Sequence, residues 1–348
     1  MKISTNLYCN QKTPFSKEFL QNQEDPVHFR FYRKLRSLLF SHAQWMSLPR
    51  VVVGLSGGAD SCVLLHALVC FFHREGGPQI LACHVHHGIR GALADRDLEM
   101  AQHQAFLHQV PFEAIKLDVG MKASEETLRN ARLNALKKHA QAQGAPVVAL
   151  GQHMHDQAET LLFRLFRGTD LKGLCGIRFE RDGFWIRPLI EVEKVAIVQE
   201  AQHRNLPYIK DETNDDWSFA RNFIRHHMIP EIQTQFNPNI INNLSELSVS
   251  LSHIDAYLDR QVDEVWPMLL DEEGHIKRLG LLACDPVLRK RIYQKVYQQL
   301  VGMDRVLSKK HIDAIETVIQ KSEKQKLSLP ENVGVVCDKD VLMLIKES

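Results

Sequence analysis

One short segment of the sequence carries residues that could hold a phosphate group. It reads Ser56-Gly57-Gly58-Ala59-Asp60-Ser61, and it lies between a β-branched run and a strongly apolar stretch. Two glycines allow the backbone to approach a ligand, and the N–H groups and dipole at the start of a following helix favour an anion. The two serine hydroxyls add donors. The segment therefore predicts a phosphate-binding loop.

Asp60 limits what this loop can hold, because a carboxylate beside a phosphate repels it unless a divalent cation lies between them. We therefore expect Asp60 to ligate Mg²⁺. The segment is neither a Walker loop nor a dinucleotide fingerprint, and it has no lysine for a γ-phosphate. The alternative is an ordinary glycine turn followed by a helix cap.

Strands and helices alternate around this loop in the first half of the sequence. The apolar patterns predict strands at 50–55, 80–86, 112–118 and 146–151, and helices at 28–46, 62–72, 95–109, 125–143 and 157–167. Parallel neighbouring strands need crossovers, which place helices on both faces of a sheet. We therefore predict an α/β fold with a doubly wound parallel sheet.

The second half of the sequence is mainly helical and ends in strands. Helices are predicted at 194–205, 220–233, 243–268, 286–301 and 308–321, and strands at 326–329 and 333–345. We predict four segments: a tail over 1–27, an α/β domain over 28–235, a helical connector over 236–280 and a small α+β domain over 281–348.

Length and composition narrow the class of protein. The 348 residues correspond to about two domains. With 43 basic and 42 acidic residues the net charge is +1, so binding of nucleic acid needs local patches. The seven cysteines are scattered without a close pair, which argues against a disulfide framework or a zinc ribbon. Neither a signal peptide nor a membrane span is expected, and we predict a cytoplasmic protein.

The loop resembles that of the N-type ATP pyrophosphatases, which split ATP into AMP and pyrophosphate while adenylating a carbonyl oxygen. Five further segments resemble the tRNA(Ile)-lysidine synthetase family, in the same order: 84–91, 128–132, 151–160 with 167–169, 187–189, and 211–214 with 221–226. The resemblance is good over about residues 50–230. The terminal region resembles the family's first C-terminal domain in pattern only, and a further C-terminal domain of many members is expected to be absent.

The resemblance implies a reaction and its participants. The family adenylates the C2 carbonyl of the wobble cytidine of tRNA(Ile) with a CAU anticodon, and the ε-amine of free L-lysine then displaces AMP to give lysidine. ATP and Mg²⁺ are the implied cofactors, and tRNA(Ile) and lysine are the implied partners. No interaction with a membrane is expected, and whether the protein forms a homodimer is left open. The domain over 28–235 would be catalytic, and that over 281–348 would bind tRNA.

Most free lysine is cationic at neutral pH, because its side-chain pKa is about 10.4, so two carboxylates form a suitable receptor. Asp156 and Glu159 fit at i and i+3 near a helix start. Their spacing alone favours helix capping, whereas the order of motifs favours catalysis. The resemblance adds Arg187 to the lysine pocket, and His87 and Arg90 to the ATP site with Ser56–Ser61.

Several basic residues are candidates for contact with tRNA phosphates, because guanidinium groups match phosphate oxygens. In the first half these are Arg129, Arg132, Arg221 and Arg225, together with the neutral Asn222, and in the basic region 286–326 they are Arg289, Lys290 and Arg291. Solvated helix charge is the alternative in both regions, and for the terminal region the two interpretations have equal weight.

The sequence departs from the family pattern at several positions, and two other functions are alternatives. His155 replaces a usual aspartate, which is expected to weaken metal or lysine binding or to make it sensitive to pH near 6.5. Leu133 replaces an aromatic residue, and residues 1–27 precede the usual start. A zinc site at the pairs His84 with His86 or His153 with His155 is disfavoured, because no cysteine or acidic cluster accompanies them at ligand spacing. The rivals are a related tRNA thiolase, which needs reactive cysteines, and a non-catalytic RNA-binding adaptor.

Overall fold

The computed structural model describes residues 26–86, 92–117, 125–209, 220–302, 305–321 and 324–346. Its contacts divide the chain into two units, 1–249 and 250–348, and the division falls within one helix. The predicted boundaries at 27, 235 and 280 stay predictions.

The first unit contains a six-stranded sheet with the order β3-β2-β1-β4-β6-β5. Its strands are β1 (Arg50–Gly54), β2 (Gln79–His86), β3 (Phe112–Lys116), β4 (Val147–Ala149), β5 (Glu180–Arg181) and β6 (Trp185–Ile186). All neighbouring pairs are parallel except β5 and β6. The predicted parallel sheet is confirmed, and the sequence patterns missed only its two shortest strands.

Ten helices surround this sheet or follow it among the described residues. They are α1 (Pro26–Ser41), α2 (Ala59–Glu75), α3 (Ala92–Leu107), α4 (Glu125–Ala142), α5 (Met154–Arg167), α6 (Leu171–Leu174), α7 (Lys194–His203), α8 (Ala220–Phe223), α9 (Ile229–Gln235) and α10 (Ile240–Leu269). A 3₁₀ turn, Ala43–Ser47, ends the predicted first helix early, and a π-helical turn, Ile224–Met228, interrupts the helix predicted over 220–233.

Strand β1 is buried on both faces, which explains its continuous β-branched run. Val51 and Val53 pack in one core cluster with residues of α2, whereas Val52 packs in a second cluster with Leu136 and Ala140 of α4. Alternate side chains of a strand point to opposite faces, so helices cover the sheet on both sides. The doubly wound arrangement follows from this.

The strand order places a crevice beside β1. The chain runs from β1 to β2 and β3 on one side, and then returns to β4 on the other. In open α/β sheets, ligands bind outside the carboxyl ends of the strands at such a switch point. The segments after β1 and β4 therefore meet where a ligand is expected.

The second unit contains an antiparallel sheet, β7-β10-β9-β8, packed against short helices. Its elements are β7 (Ile276–Lys277), α11 (Arg278–Ala283), α12 (Pro286–Val301), α13 (Lys309–Gln320), β8 (Gln325–Leu329), β9 (Val333–Cys337) and β10 (Val341–Lys346). The single strand predicted over 333–345 is wrong. The Asp338 carboxylate accepts the backbone N–H groups of Asp340 and Val341, each at 2.9 Å, and this turn divides the run into a hairpin.

Candidate active site

The predicted phosphate loop connects β1 to α2. Gly58 is the extended N-cap of α2, so Asp60 lies in the first helical turn, where a helix dipole is positive. The buried Ser61 hydroxyl donates to the Gly58 carbonyl at 3.0 Å and accepts the Ser56 N–H at 3.0 Å. Ser61 therefore shapes the loop, and the exposed Ser56 is the serine open to a ligand.

Glycine is needed at the two loop positions for different physical reasons. Gly57 has φ +87°, and a Cβ there would lie 2.8 Å from the carbonyl oxygen of Asp97, so this glycine allows close packing against α3. A Cβ on Gly58 would approach nothing closer than 3.7 Å, so Gly58 leaves open space for a ligand. At Gly151, after β4, a Cβ would lie 3.1 Å from the Ser61 nitrogen. The sequence alone did not indicate that Gly151 packs against the backbone of the phosphate loop.

The loop opens into a cavity of about 540 Å³, within the range of small-molecule sites. The ends of β1, β2 and β4 form its floor, and α4 and the region of α8 form its walls. Its described charged lining residues are Asp60, Asp97, Asp156, Arg129, Arg132, Arg221 and Arg225. Leu133 lies among its apolar lining residues. The predicted Asn222 lines the cavity as well.

A buried histidine lies between two of the cavity carboxylates. His153 Nε2 is 3.7 Å from Asp60 Oδ1 and 3.6 Å from Asp156 Oδ2. Its Nδ1 accepts the backbone N–H of His155 at 3.2 Å, so in neutral His153 the proton is on Nε2, facing both carboxylates. The structure therefore brings the two predicted acidic residues, from α2 and α5, to one point.

Asp156 is held as a carboxylate. Burial raises the pKa of this residue, but His153, the His153 backbone N–H at 2.9 Å, and the guanidinium groups of Arg221 and Arg225 outweigh burial and hold the pKa below its usual value. An ionised Asp156 at the cavity wall can bind a cation, and it is a weak base.

Glu159 lies behind the cavity, where it fixes two arginines. It is 1% exposed and is not among the described residues that line the cavity, so its predicted direct contact with lysine stays a prediction. Arg225 donates Nε to Oε1 at 2.5 Å and Nη2 to Oε2 at 2.9 Å, and Arg221 donates Nε to Oε2 at 3.1 Å. Arg225 Nη2 also reaches Asp156 Oδ1 at 3.2 Å. Glu159 thereby positions two cavity arginines.

The π-helical turn Ile224–Met228 contains Arg225 and is flanked by buried isoleucines. Ile224 and Ile229 are five residues apart, yet both are buried in one cluster with Met154. Five residues span about 140° beyond a full turn of an α-helix, whereas a π turn bonds i to i+5 and places both on one face. The apolar spacing therefore stabilises the π turn.

A lysine from a distant part of the chain lies at the phosphate loop, whose own sequence contains none. Lys194, at the start of α7, places Nζ 2.5 Å from Asp60 Oδ1. Its backbone N–H donates to His155 Nδ1 at 3.4 Å. The sequence analysis missed Lys194, since 134 residues separate it from Asp60 and only the packing of α7 brings them together.

Arg187 does not line the cavity. It is 5% exposed, donating Nε to Gln152 Oε1 at 2.7 Å and Nη1 to the Arg178 carbonyl at 2.9 Å. Burial lowers the pKa of Arg187 to about 10, assisted by Arg181 and Arg129, so it stays cationic at neutral pH. It acts by positioning Gln152, which does line the cavity.

Two of the arginines predicted to contact tRNA in the terminal region are engaged in internal ion pairs, and their contact with tRNA stays a prediction. Arg289 is 8% exposed and bonds both Glu316 carboxylate oxygens and two backbone carbonyls. Arg291 is paired with Asp255 and Asp259, each at 2.5 Å. These arginines hold the helices of the second unit together, and of the three predicted residues only Lys290 is exposed.

Some predicted site residues lie outside the described residues: His87 and Arg90, and the segment 211–214. Within the described ranges, no group of three or more histidine, cysteine or acidic side chains is placed to hold a metal ion, and the absence of a zinc site stays a prediction. His84 instead donates Nδ1 to the Leu55 carbonyl at 2.8 Å, and burial lowers its pKa.

His155 does not give the predicted pH sensitivity near 6.5, because burial, followed by repulsion from His153, lowers its pKa to about 4. As pH falls below about 6.5 the unfolded chain binds a proton here, while the folded protein does not until about 4. His155 therefore reduces the free energy of unfolding as pH falls from 6.5 to 4.

We expect His155→Asn to flatten this part of the stability profile, measured by urea denaturation at pH 7.5 and 5. An unchanged slope would contradict the assignment.

The part of the chain that forms this site matches a known protein family. Residues 28–232 match a family described as the PP-loop domain, which covers more than half of the chain. The chain belongs to the PP-loop family. This membership confirms the resemblance of Ser56–Ser61 to a pyrophosphatase loop.

Two curated relatives of this PP-loop protein carry the name tRNA(Ile)-lysidine synthase. That of Solibacter usitatus is 34% identical over 76% of this chain and 60% of its own length. That of Geobacter sulfurreducens is 33% identical over 87% of this chain and 66% of its own length. The chain thus spans less than two thirds of the length of these relatives.

A solved structure supports the fold of the PP-loop protein. The U34-tRNA thiolase of Methanococcus maripaludis, solved with its iron–sulfur cluster, matches with a TM-score of 0.56 and 17% identity, over 66% of this chain and 81% of that one. Within the described part of the chain, none of the helices is both long and apolar enough to cross a bilayer.

Proposed function

We propose that this PP-loop protein ligates free L-lysine to C2 of the wobble cytidine of tRNA(Ile) with a CAU anticodon. The C2 oxygen attacks the α-phosphate of ATP and pyrophosphate leaves; the lysine ε-amine then attacks C2, and the oxygen leaves with AMP. The observation that carries the proposal is the meeting of Asp60 and Asp156 around His153, which joins a phosphate loop to a cation receptor in one cavity. The names of the curated relatives support it.

ATP would lie with its phosphates on the loop between β1 and α2. Gly58 leaves room there, Ser56 offers a hydroxyl, and the first turn of α2 presents N–H groups and a positive dipole end. Asp60 fits a magnesium ion, since its carboxylate is 31% exposed beside the cavity and Mg²⁺ takes one or two carboxylates together with phosphate oxygens. Bound there, Mg²⁺ would neutralise phosphate charge.

The lysine ammonium would lie on Asp156. This carboxylate is ionised and reaches the cavity, while Glu159 holds Arg221 and Arg225 from behind. Because its lowered pKa makes Asp156 a weak base, its role is to orient the amine. Glu159 would act through the two arginines that it positions. Arg187 would act through Gln152.

The RNA would enter past the exposed arginines of the cavity wall. Arg129 and Arg132 of α4 are exposed, and Asn222 lies opposite on the α8 wall. Lys290 is the exposed one of the three predicted contacts in the second unit. The substrates ATP, lysine and tRNA place the proposed reaction in the cytoplasm.

A thiolase reaction is less well supported, because the described cysteines are buried or half-buried and form no close pair in the sequence. Burial raises the pKa of Cys62 and Cys83 to about 12, so neither is a thiolate at neutral pH. The remaining described cysteines, Cys70, Cys175, Cys284 and Cys337, are dispersed over both units and are buried or half-buried.

Incorporation of labelled lysine tests the proposal. The purified protein is incubated with ATP, Mg²⁺, radiolabelled lysine and a tRNA(Ile) transcript carrying a CAU anticodon. Label in the RNA that depends on every component supports the ligase. AMP without label would indicate a different nucleophile, and no AMP at all would favour the adaptor.

A further inference from the structure

Lys194 reaches the phosphate loop from a distant part of the chain. Its Nζ is 2.5 Å from Asp60 Oδ1, and the two side chains are 37% and 31% exposed. An ion pair exposed to this degree contributes little to stability. Its place in the fold, at the residue that would hold a nucleotide-bound cation, points to a role in binding.

Cationic groups converge on this end of the cavity. Lys194 lies next to the first turn of α2, where the helix dipole is positive, and Arg221 and Arg225 line the same cavity. Among the described charged lining residues, four arginines face three aspartates, and Lys194 adds a further positive charge at the rim. Such an arrangement is complementary to an anion with several charges.

The backbone of Lys194 is fixed while its side chain can move. Helix α7 packs on α2 through Ile197 and Ala201, which belong to the core cluster of β1 and α2, and the Lys194 N–H bonds His155. The ammonium is carried on a flexible four-carbon stem. Nζ can therefore leave Asp60 without a change in the fold.

We propose that Lys194 is the phosphate-binding lysine of this site and that it exchanges partners when a nucleotide binds. In the free protein Lys194 neutralises Asp60. When the cation of a nucleoside triphosphate takes the Asp60 carboxylate, Nζ transfers to a phosphate oxygen, so that neither charge is left unpaired. The inference rests on the proposed binding of ATP, and it does not depend on the nucleophile or the RNA.

Affinity for a non-hydrolysable ATP analogue, measured by calorimetry with Mg²⁺, tests this exchange. Lys194→Met is expected to raise the Kd about tenfold or more, as for loss of one charge-assisted hydrogen bond, and Lys194→Arg to restore most of the affinity. Lys34→Met is the matched control, because Lys34 Nζ bonds the Glu191 carbonyl at 3.2 Å, three residues before Lys194. It should leave the Kd unchanged.

The Asp60→Asn background separates phosphate binding from charge neutralisation. If Lys194 binds phosphate, Lys194→Met should weaken analogue binding about tenfold in this background as well. If Lys194 serves only as the counter-ion of Asp60, the second substitution would have no effect there, and the proposal would be overturned.

Two further ligands control for general damage to the cavity. Pyrophosphate affinity should fall in Lys194→Met, whereas adenosine affinity should not change. An equal fall for adenosine would overturn the proposal, because it would indicate a distorted cavity. A wild-type chain that binds ATP but adds no lysine to RNA would refute the proposed function and leave the role of Lys194 to be decided by these affinities.

Discussion

Asp60→Ala is expected to lower tRNA-dependent exchange between ATP and pyrophosphate by about a thousandfold. This exchange reports adenylation of the RNA without lysine. The substitution removes the carboxylate that would hold the magnesium ion and leaves the Lys194 ammonium without its 2.5 Å partner. Loss of roughly 4 kcal/mol of transition-state stabilisation, a plausible share for a metal ion, corresponds to that factor.

Glu99→Gln is a suitable control for Asp60→Ala. The Glu99 side chain is exposed on α3 and does not line the cavity, so it is a nearby carboxylate outside the site. We expect its exchange rate to match that of the wild type. If Asp60→Ala kept a tenth or more of the exchange rate, Asp60 would not be the metal ligand.

Glu159→Gln is expected to affect both halves of the reaction, whereas Asp156→Asn should affect only the second. Without the Glu159 charge, Arg225 keeps one anionic partner, Asp156, and occupies the carboxylate proposed for lysine. Arg221 also loses its 3.1 Å bond. We expect exchange to fall about tenfold and lysine incorporation at least about a hundredfold, since a buried pair is strongly coupled.

The comparison of these variants decides the role of Glu159. Asp156→Asn should keep exchange within about threefold of the wild type while losing lysine incorporation. If Glu159→Gln gave the same profile, with exchange intact, Glu159 would contact lysine directly, as its spacing from Asp156 predicts. Glu246→Gln, an exposed change on α10, controls for loss of a negative charge.

The local parts of this site could be predicted from the sequence. The loop Ser56–Ser61 lies between a buried strand and a helix, and the pattern of alternating elements is sufficient to place it at the edge of a parallel sheet. Asp156 follows β4 in the same way. In each case neighbouring residues define the environment, so spacing along the chain carries the information.

The long-range partners could not be predicted. Nothing near Lys194 indicates Asp60, and nothing near Arg225 indicates that Glu159, 66 residues earlier, would be buried beneath it. The exposed and buried basic residues of α12 were also indistinguishable, because the sequence does not say which face Glu316 approaches. Arg289 was thus predicted to contact tRNA, although it is an internal ion-pair partner.

The π-helical turn holds one residue more than an α-helix with the same apolar face needs. Deleting one residue from Ile224–Met228 would place the flanking isoleucines four apart, which keeps them on one face of an α-helix. The cluster of Ile224, Ile229 and Met154 would then keep its packing. The apolar core therefore tolerates a shortening of this turn by one residue, and the change is absorbed by the side chains between the two isoleucines.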